Sequence, residues 1–395
     1  MPPKKKEEPA KKVLLGRPKN TLEMGLVGLP NVGKSTTFNI LSKLSVPAEN
    51  YPFCTIEPAN AKVHLSDKRY EKLCDMYKPK SKVPASISIW DIAGLVKGAS
   101  EGAGLGNAFL SHINAVDGIY HVVRAFPNEE VIHDMGEVDP VRDMEVINGE
   151  LLAKDLIHID RAIGEVNARI KRKKEKRDVE ELELLEKAKT MMQAKKFVKD
   201  GEWSGKEIEF LNLHLFLTSK PVVYLVNIGD AQYLKKQNPW LPKIAEYIKN
   251  NGGGPMIPYS ADFEQQVIDA AGKDDKVAQA AKAKELGGVQ MIDRIIKAGY
   301  KHLQLIHFFT SGADEVKCWT LREGATAPKA GAVIHTDFEK FFICAEQMAF
   351  DDLEEHGSEQ DVKAAGLYAQ KGKDYIVKDG DILYFKIGAT QGKKK

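Results

Sequence analysis

Gly28-Leu-Pro-Asn-Val-Gly-Lys-Ser35 has the spacing GxxxxGK[ST], two glycines followed by a cation and a hydroxyl. The chemistry open to such a run is phosphate binding. Gly28 and Gly33 let backbone N–H groups close on phosphate oxygens, and the N-terminus of a following helix favours negative charge. Lys34 supplies a movable cation for the β- and γ-phosphates, and Ser35 is placed to bind Mg2+ through its hydroxyl. The stretch Asn31, Val32, Gly33, Lys34, Ser35 and Thr36 is therefore expected to touch a nucleotide. Asp91 follows the apolar alternation Ile87-Ser-Ile-Trp90 and opens Asp-Ile-Ala-Gly94, which puts a carboxylate at a strand end where a second metal support belongs. Thr55, inside Pro52-Phe-Cys-Thr-Ile-Glu-Pro58, is the candidate to complete the metal shell once a γ-phosphate is present.

The purine is addressed further along. After the apolar run Pro221–Val226 comes Asn227-Ile-Gly-Asp230, where a guanine-nucleotide enzyme would carry Asn-Lys-x-Asp. Guanine presents its N1–H and N2–H donors side by side, so a carboxylate accepts both, whereas adenine offers an N1 acceptor that a carboxylate repels. Asp230 alone suits guanine. The Lys whose stem would cover the base is missing, however, and Ile228 supplies an apolar contact that does not discriminate purines. Without that pinning the carboxylate loses its register on guanine, and Asn227 can still pair with the purine N7 edge or the adenine N6 amine.

The elements that must position these groups follow from pattern. Residues 22–140 alternate short apolar strands with helical segments and Gly-rich turns, the rhythm of βαβ units around a parallel sheet, and Leu22–Val27 is the first strand. From about 141 to 215 the composition becomes highly charged, with Ile159, Ile163, Val166 and Ile170 forming one helical stripe and Leu182, Leu185, Ala188 and Met192 a second. An antiparallel helical hairpin with Lys171–Arg177 as its basic tip is the simplest reading. The strand rhythm resumes at Lys220 and runs through Met256–Ala261, so the hairpin is an insertion in a nucleotide domain spanning 21–284. Residues 262–286 read as surface helices. Residues 304–387 are strand-rich, carry an Asp379-Gly380 turn, and form a small separate α+β domain before a basic tail, 388–395. The fold class is thus an α/β phosphate-loop domain with an inserted helical hairpin, plus a small α+β domain.

Composition excludes little else. A net charge of +2 gives no whole-molecule field for nucleic acid or membrane, so any basic site is local. The four cysteines, Cys54, Cys74, Cys318 and Cys344, form no CxxC pair, which fits free thiols in a reducing compartment. The first residues, 1–20, read as a disordered tail with no secretory signal; their Lys run leaves a nuclear pool beside the cytoplasmic default. No apolar stretch approaches the ~20 residues that span a bilayer, so no membrane partner is expected. Trp319, Tyr375, Tyr384 and Phe385 fit a core better than a base-stacking platform.

The phosphate loop, Pro52–Pro58, Asp91-Ile-Ala-Gly-Leu-Val-Lys-Gly98 and Gly102-Ala-Gly-Leu-Gly-Asn-Ala-Phe-Leu-Ser-His112, in this order, make the chain resemble the Obg-like ATPases, the YchF family, over nearly its whole length. Together with Ile228, the resemblance implies that ATP binds more tightly than GTP and is hydrolysed with Mg2+; it further implies a cytoplasmic location, a C-terminal TGS domain similar to β-grasp modules, and association with the translation machinery, the large ribosomal subunit or RNA, while the chain itself is expected to be a monomer. Asp230 departs from the Glu usual in that family. Ser260 and Ala261 resemble the backbone-donor loop that contacts the base in related enzymes, and Asn31 resembles a residue that helps hold a monovalent cation, which makes K+ a second candidate ion. Leu95 stands where many related GTPases carry the Gln that orients the attacking water. His112, after the glycine-rich stretch, is the side chain suited to proton transfer, and the matching histidine has been proposed as catalytic in the family. The alternative is an Obg-type GTPase working as a nucleotide-gated module for ribosome or RNA. A nucleotide kinase is disfavoured, because no Arg-rich acceptor lid is present.

Overall fold

The runs Gly118–Arg124 and Val222–Asn227 are buried along their whole length, as strands are when helices cover both faces of a sheet. The computed structural model describes residues 15–16, 23–43, 60–92, 112–127, 136–273 and 275–388. Its first sheet is built from β1 (Glu23–Val27), β2 (Asn60–His64), β4 (Ser86–Asp91), β5 (Gly118–Arg124), β6 (Val222–Asn227) and β7 (Met256–Tyr259), in the order β2-β4-β1-β5-β6-β7. All neighbours are parallel except β2 and β4. The chain leaves β1 toward β4 on one side and β5 on the other, so a crevice opens beyond the carboxyl end of β1, the place where such sheets bind ligands. Register sets Leu26 beside Asp91 and Asn227 beside both Arg124 and Tyr259, which gathers the loops after five strands at that end.

The inserted segment begins with α3 (Pro140–Arg172), started by Asp139 accepting hydrogen bonds from Val141 N and Arg142 N and by Pro140 in the first turn. Helix α4 (Lys176–Gln193) returns along it. Ile159, Val166, Leu185, Ala188 and Met192 are buried between them, with Ile163, Ile170 and Leu182 packed at the edge. Arg169 clasps the two helices near the tip through Asp178 and Glu181. A third helix, Gly205–His214, begins with a Ser204–Glu207 capping box and completes the packing through Phe210 and Leu211. The hairpin pattern missed it because its apolar stripe is short. At the base, the buried Asp155 carboxylate accepts from Leu217 N, Thr218 N and the Thr218 hydroxyl, tying α3 to the turn that feeds β6.

The second sheet contains β3 (Ser81–Val83), β8 (Leu305–Ser311), β9 (Glu315–Arg322), β10 (Phe342–Ala349), β11 (Ala369–Lys371) and β12 (Asp381–Ile387), ordered β11-β10-β12-β8-β9-β3. Trp319, Tyr375 and Phe385 pack against its core, and Tyr384 packs against the larger core of the molecule. Segment 304–387, read as a separate domain, is in fact completed by Ser81–Val83, which pairs in parallel with Glu315–Lys317. Unpaired backbone groups on β9 are satisfied by a strand from the other half of the chain, a relation that local pattern cannot show. The turn at Asp379-Gly380 leads into β12, while Tyr375–Lys378 lies outside that strand. Beside this junction Asp67, the N-cap of α2 (Lys68–Tyr77), meets His307 Nδ1 at 2.8 Å, and Arg69 reaches Asp379 at 2.8 Å.

Candidate functional site: a phosphate loop joined to a purine loop

Asn31 and Gly33 take positive φ, +60° and +98°, the left-handed turns that make successive N–H groups face inward. Gly33 has a second constraint: a Cβ there would lie 2.4 Å from Asn227 Nδ2. Helix α1 (Lys34–Lys43) starts at once, with Thr37 N and Oγ1 both donating to Gly33 O, so its N-terminus points at the loop. Lys34 is buried and its Nζ donates to Leu29 O at 2.6 Å, folded along the loop it would leave for a phosphate. Val32 is buried, while Asn31, Ser35 and Thr36 are exposed.

Ser35 Oγ donates to Asp91 Oδ2 at 3.1 Å, so the hydroxyl and the carboxylate expected to share a metal are adjacent. Burial raises the Asp91 carboxyl above the ordinary range, opposed by the Ser35 hydrogen bond and the charge of Lys34. A half-buried carboxylate beside a hydroxyl is an oxygen donor set that fits Mg2+. Thr55, Leu95 and the run 98–111 lie outside the described residues. His112 is exposed on the helical residues 112–115, one position before the fully buried Ile113.

Asn227 is the joint between loops. Its Nδ2 donates to Val32 O and its Oδ1 accepts from Ala261 N, both at 3.1 Å, and the side chain is buried. This bracing uses one of the two Nδ2 hydrogens and one Oδ1 lone pair, which leaves the amide a donor and an acceptor of the kind expected to meet the purine. Ile228 is displaced from its expected place: its side chain belongs to the core, so it does not lie open to a base. Asp230 begins the helix Asp230–Lys235 and accepts from the Ser260 hydroxyl on Oδ1 and from Gln266 Nε2 on Oδ2, the latter at 2.7 Å. Ser260 in turn caps the helix Ala261–Ala271 by accepting from Phe263 N. Nearby Asp262 has its carboxyl raised by burial and by the charge of Asp230.

Sequence reasoning missed two contributors on β5, one at its middle and one at its end. Arg124 is buried, directs Nη1 at Asn31 O (3.5 Å) and sits 4.7 Å over the Phe126 ring, bracing the phosphate loop from behind. His121, fully buried, has its pKa pushed down to about 4 by burial and by Lys34, so it is neutral and adds no positive charge beside Lys34. The available signal was a charged or titratable side chain inside an otherwise apolar strand.

Residues 23–158 match the profile of a family described as 50S ribosome-binding GTPase, and residues 305–388 match YchF-GTPase_C, a family described as of unknown function. The chain is 51% identical to Obg-like ATPase 1 of Oryza sativa subsp. japonica and 47% identical to that of Homo sapiens, each over 100% of both chains. It superposes on the Schizosaccharomyces pombe YchF GTPase with a TM-score of 0.85 at 44% identity, covering 95% of this chain and 100% of that one. With Gly28–Ser35, the Ser35–Asp91 pair and the Asn227–Asp230 loop brought to one sheet end, the chain belongs to the Obg-like ATPase (YchF) family and is a P-loop nucleotide hydrolase.

Proposed function

We propose that the protein hydrolyses ATP in preference to GTP, with Mg2+ held by Ser35, Asp91 and, once the γ-phosphate is bound, Thr55. The observation that carries the purine preference is the state of Asp230: both carboxylate oxygens already accept from side chains of the protein, Ser260 and Gln266. The Lys that would pin a guanine over that carboxylate is replaced by Ile228, whose side chain is buried. Relatives' names point both ways, Obg-like ATPase 1 in rice and human and YchF GTPase in fission yeast. Calorimetry with ATP and GTP decides between them; tighter binding of GTP would overturn the preference.

In this reading Lys34 leaves Leu29 O for the phosphates, the amides of 31–36 hold the β-phosphate, and the metal neutralises charge developing on the γ-phosphoryl group. Ser260 and Ala261 present the loop beside the base. His112 orients the attacking water in the absence of a Gln at position 95, and Asn31 helps hold K+. The hydrolysis cycle would gate association with the ribosome or RNA, through the basic turn Lys171–Arg177 and a TGS-like module at 304–387, in a cytoplasmic monomer. What supports that partner is local charge: Lys171, Arg172, Lys173, Lys174, Lys176 and Arg177 are exposed or at the tip of the hairpin. Neutralising them should weaken sedimentation with ribosomes and flatten its salt dependence; unchanged sedimentation would remove the tip. The competing reading, a guanine-preferring module, draws on Asp230 itself. No described helix is long and apolar enough to cross a membrane.

A further inference from the structure

We propose that Gln266, outside every nucleotide-binding motif of the sequence, determines purine specificity by holding one oxygen of Asp230. The inference rests on the reading of the Asn227–Asp230 loop as the base site. A carboxylate reads guanine by offering both oxygens, in one plane, to N1–H and N2–H. Here the Ser260 hydroxyl donates to Oδ1, a bond that fixes the side-chain rotamer, and Gln266 Nε2 donates to Oδ2 at 2.7 Å. The second bond is the one that changes chemistry. It comes from an exposed side chain on the helix Ala261–Ala271, the same helix that presents Ala261 N to Asn227, so the donor is carried on an element rigidly tied to the purine loop.

With Gln266 on Oδ2 as well as Ser260 on Oδ1, a guanine must share each oxygen with a donor already in place, so its N1–H and N2–H regain less than they lose in desolvation. The carboxylamide also replaces a uniformly accepting edge with a mixed one. Nε2 keeps a second N–H, and Oε1 is an acceptor, which together match the N1 acceptor and N6 amine of adenine. The carboxylate partner settles which end of the amide is nitrogen, because an oxygen turned toward Asp230 would be repelled. Asp262, one helical turn before Gln266, stands near Asp230 and adds negative charge there, so release of Gln266 takes a donor away from two neighbouring carboxylates. Gln266 thus acts on specificity, by occupying Asp230 and by the edge its own amide offers adenine, and takes no part in the chemical step.

The test is a comparison of kcat/KM for ATP, GTP and inosine triphosphate in the parent, Gln266→Met and Gln266→Ala. Inosine triphosphate lacks the N2 amine and reports whether Oδ2 is being read. The parent should treat GTP and inosine triphosphate alike. In both variants the GTP-to-ATP ratio should rise roughly tenfold, the effect of one hydrogen bond to a charged group, and GTP should become favoured over inosine triphosphate. Ratios equal to the parent's in both variants overturn the proposal. Because Gln266 is exposed, a thermal melt at the parent value shows that the fold is intact. The parent's own preference between ATP and GTP tests the ATPase reading, whereas the change between parent and variant tests Gln266, so the two can fail separately.

Discussion

Ser35 and Asp91 are joined by a 3.1 Å hydrogen bond from the Ser35 hydroxyl to Asp91 Oδ2. The bond brings together the start of α1 and the end of β4, which flank β1. It gives the metal reading a direct test. Asp91→Asn keeps the volume but removes the charge whose burial cost a divalent cation would relieve, while the Ser35 hydroxyl can still donate to the amide oxygen. Losing several kcal/mol of transition-state charge stabilisation corresponds to a fall in kcat/KM on the order of 100-fold. The Mg2+ concentration giving half-maximal rate should rise in step. A Mg2+ titration that superposes on the parent's would exclude Asp91 from the metal site.

Lys34 and His112 should separate by kinetic signature. Lys34 Nζ donates to Leu29 O within the phosphate loop, and Lys34→Ala should weaken ATP binding at least tenfold by loss of charge-assisted hydrogen bonds to the phosphates. His112→Ala should lower kcat on the order of 100-fold, the usual range for a positioned acid or base, with ATP affinity near that of the parent. A parent-like kcat in His112→Ala, with Mg2+ and K+ saturating, would refute its role in orienting water.

The nucleotide half was legible for physical reasons that act locally. Glycines at fixed spacing, a Lys-Ser pair opening a helix and a carboxylate closing a strand are each set by neighbours in sequence, and Lys34, Ser35 and Asp91 meet accordingly. What stayed hidden is non-local. Asn227 pairs with Val32 across 195 positions, Gln266 reaches Asp230 from a helix that composition marked as surface, and Ser81–Val83 completes a sheet more than two hundred residues away. Periodicity reports which face of an element is buried but not which distant backbone it meets. Ile228 shows this: its position in the motif suggests a base contact, while its N–H is bonded to Tyr259 O and its side chain lies in the core.

The junction between the two sheets should be acid-labile. Burial would raise the Asp67 carboxyl, but hydrogen bonds from His307 and Arg69 outweigh it and hold the group well below the ordinary carboxylate range. Its contribution to stability is therefore complete above about pH 4, the unfolded carboxylate value, and is lost as pH falls below it. Asp67→Asn leaves Arg69 and His307 short of an acceptor in a largely buried setting and should cost about 3 kcal/mol near neutral pH. Urea unfolding at pH 7 and pH 3.5 checks both statements: the gap between parent and variant should narrow at the lower pH.

Glu264 predicts the opposite slope. Its side chain is fully buried on the helix Ala261–Ala271, where it accepts from Met291 N and from Gln290 Nε2, capping the approach to the helix Ile292–His302. Burial pushes its carboxyl up to about 7, against the hydrogen bonds that favour the charged form, and Asp293 adds to the rise. The folded state thus holds this proton more tightly than the unfolded chain. The resulting stability is full below the ordinary Glu value, ~4.3, and is lost as pH rises through about 7. A shift of that size corresponds to about 3 kcal/mol. Glu264→Gln cannot ionise, and its amide oxygen can still accept from Met291 N. The variant should therefore match the parent at pH 5, exceed it at pH 8.5 by up to about 3 kcal/mol, and show a flatter pH profile between. Equal pH slopes for unfolding in the two proteins would show that Glu264 is ionised, or neutral, throughout.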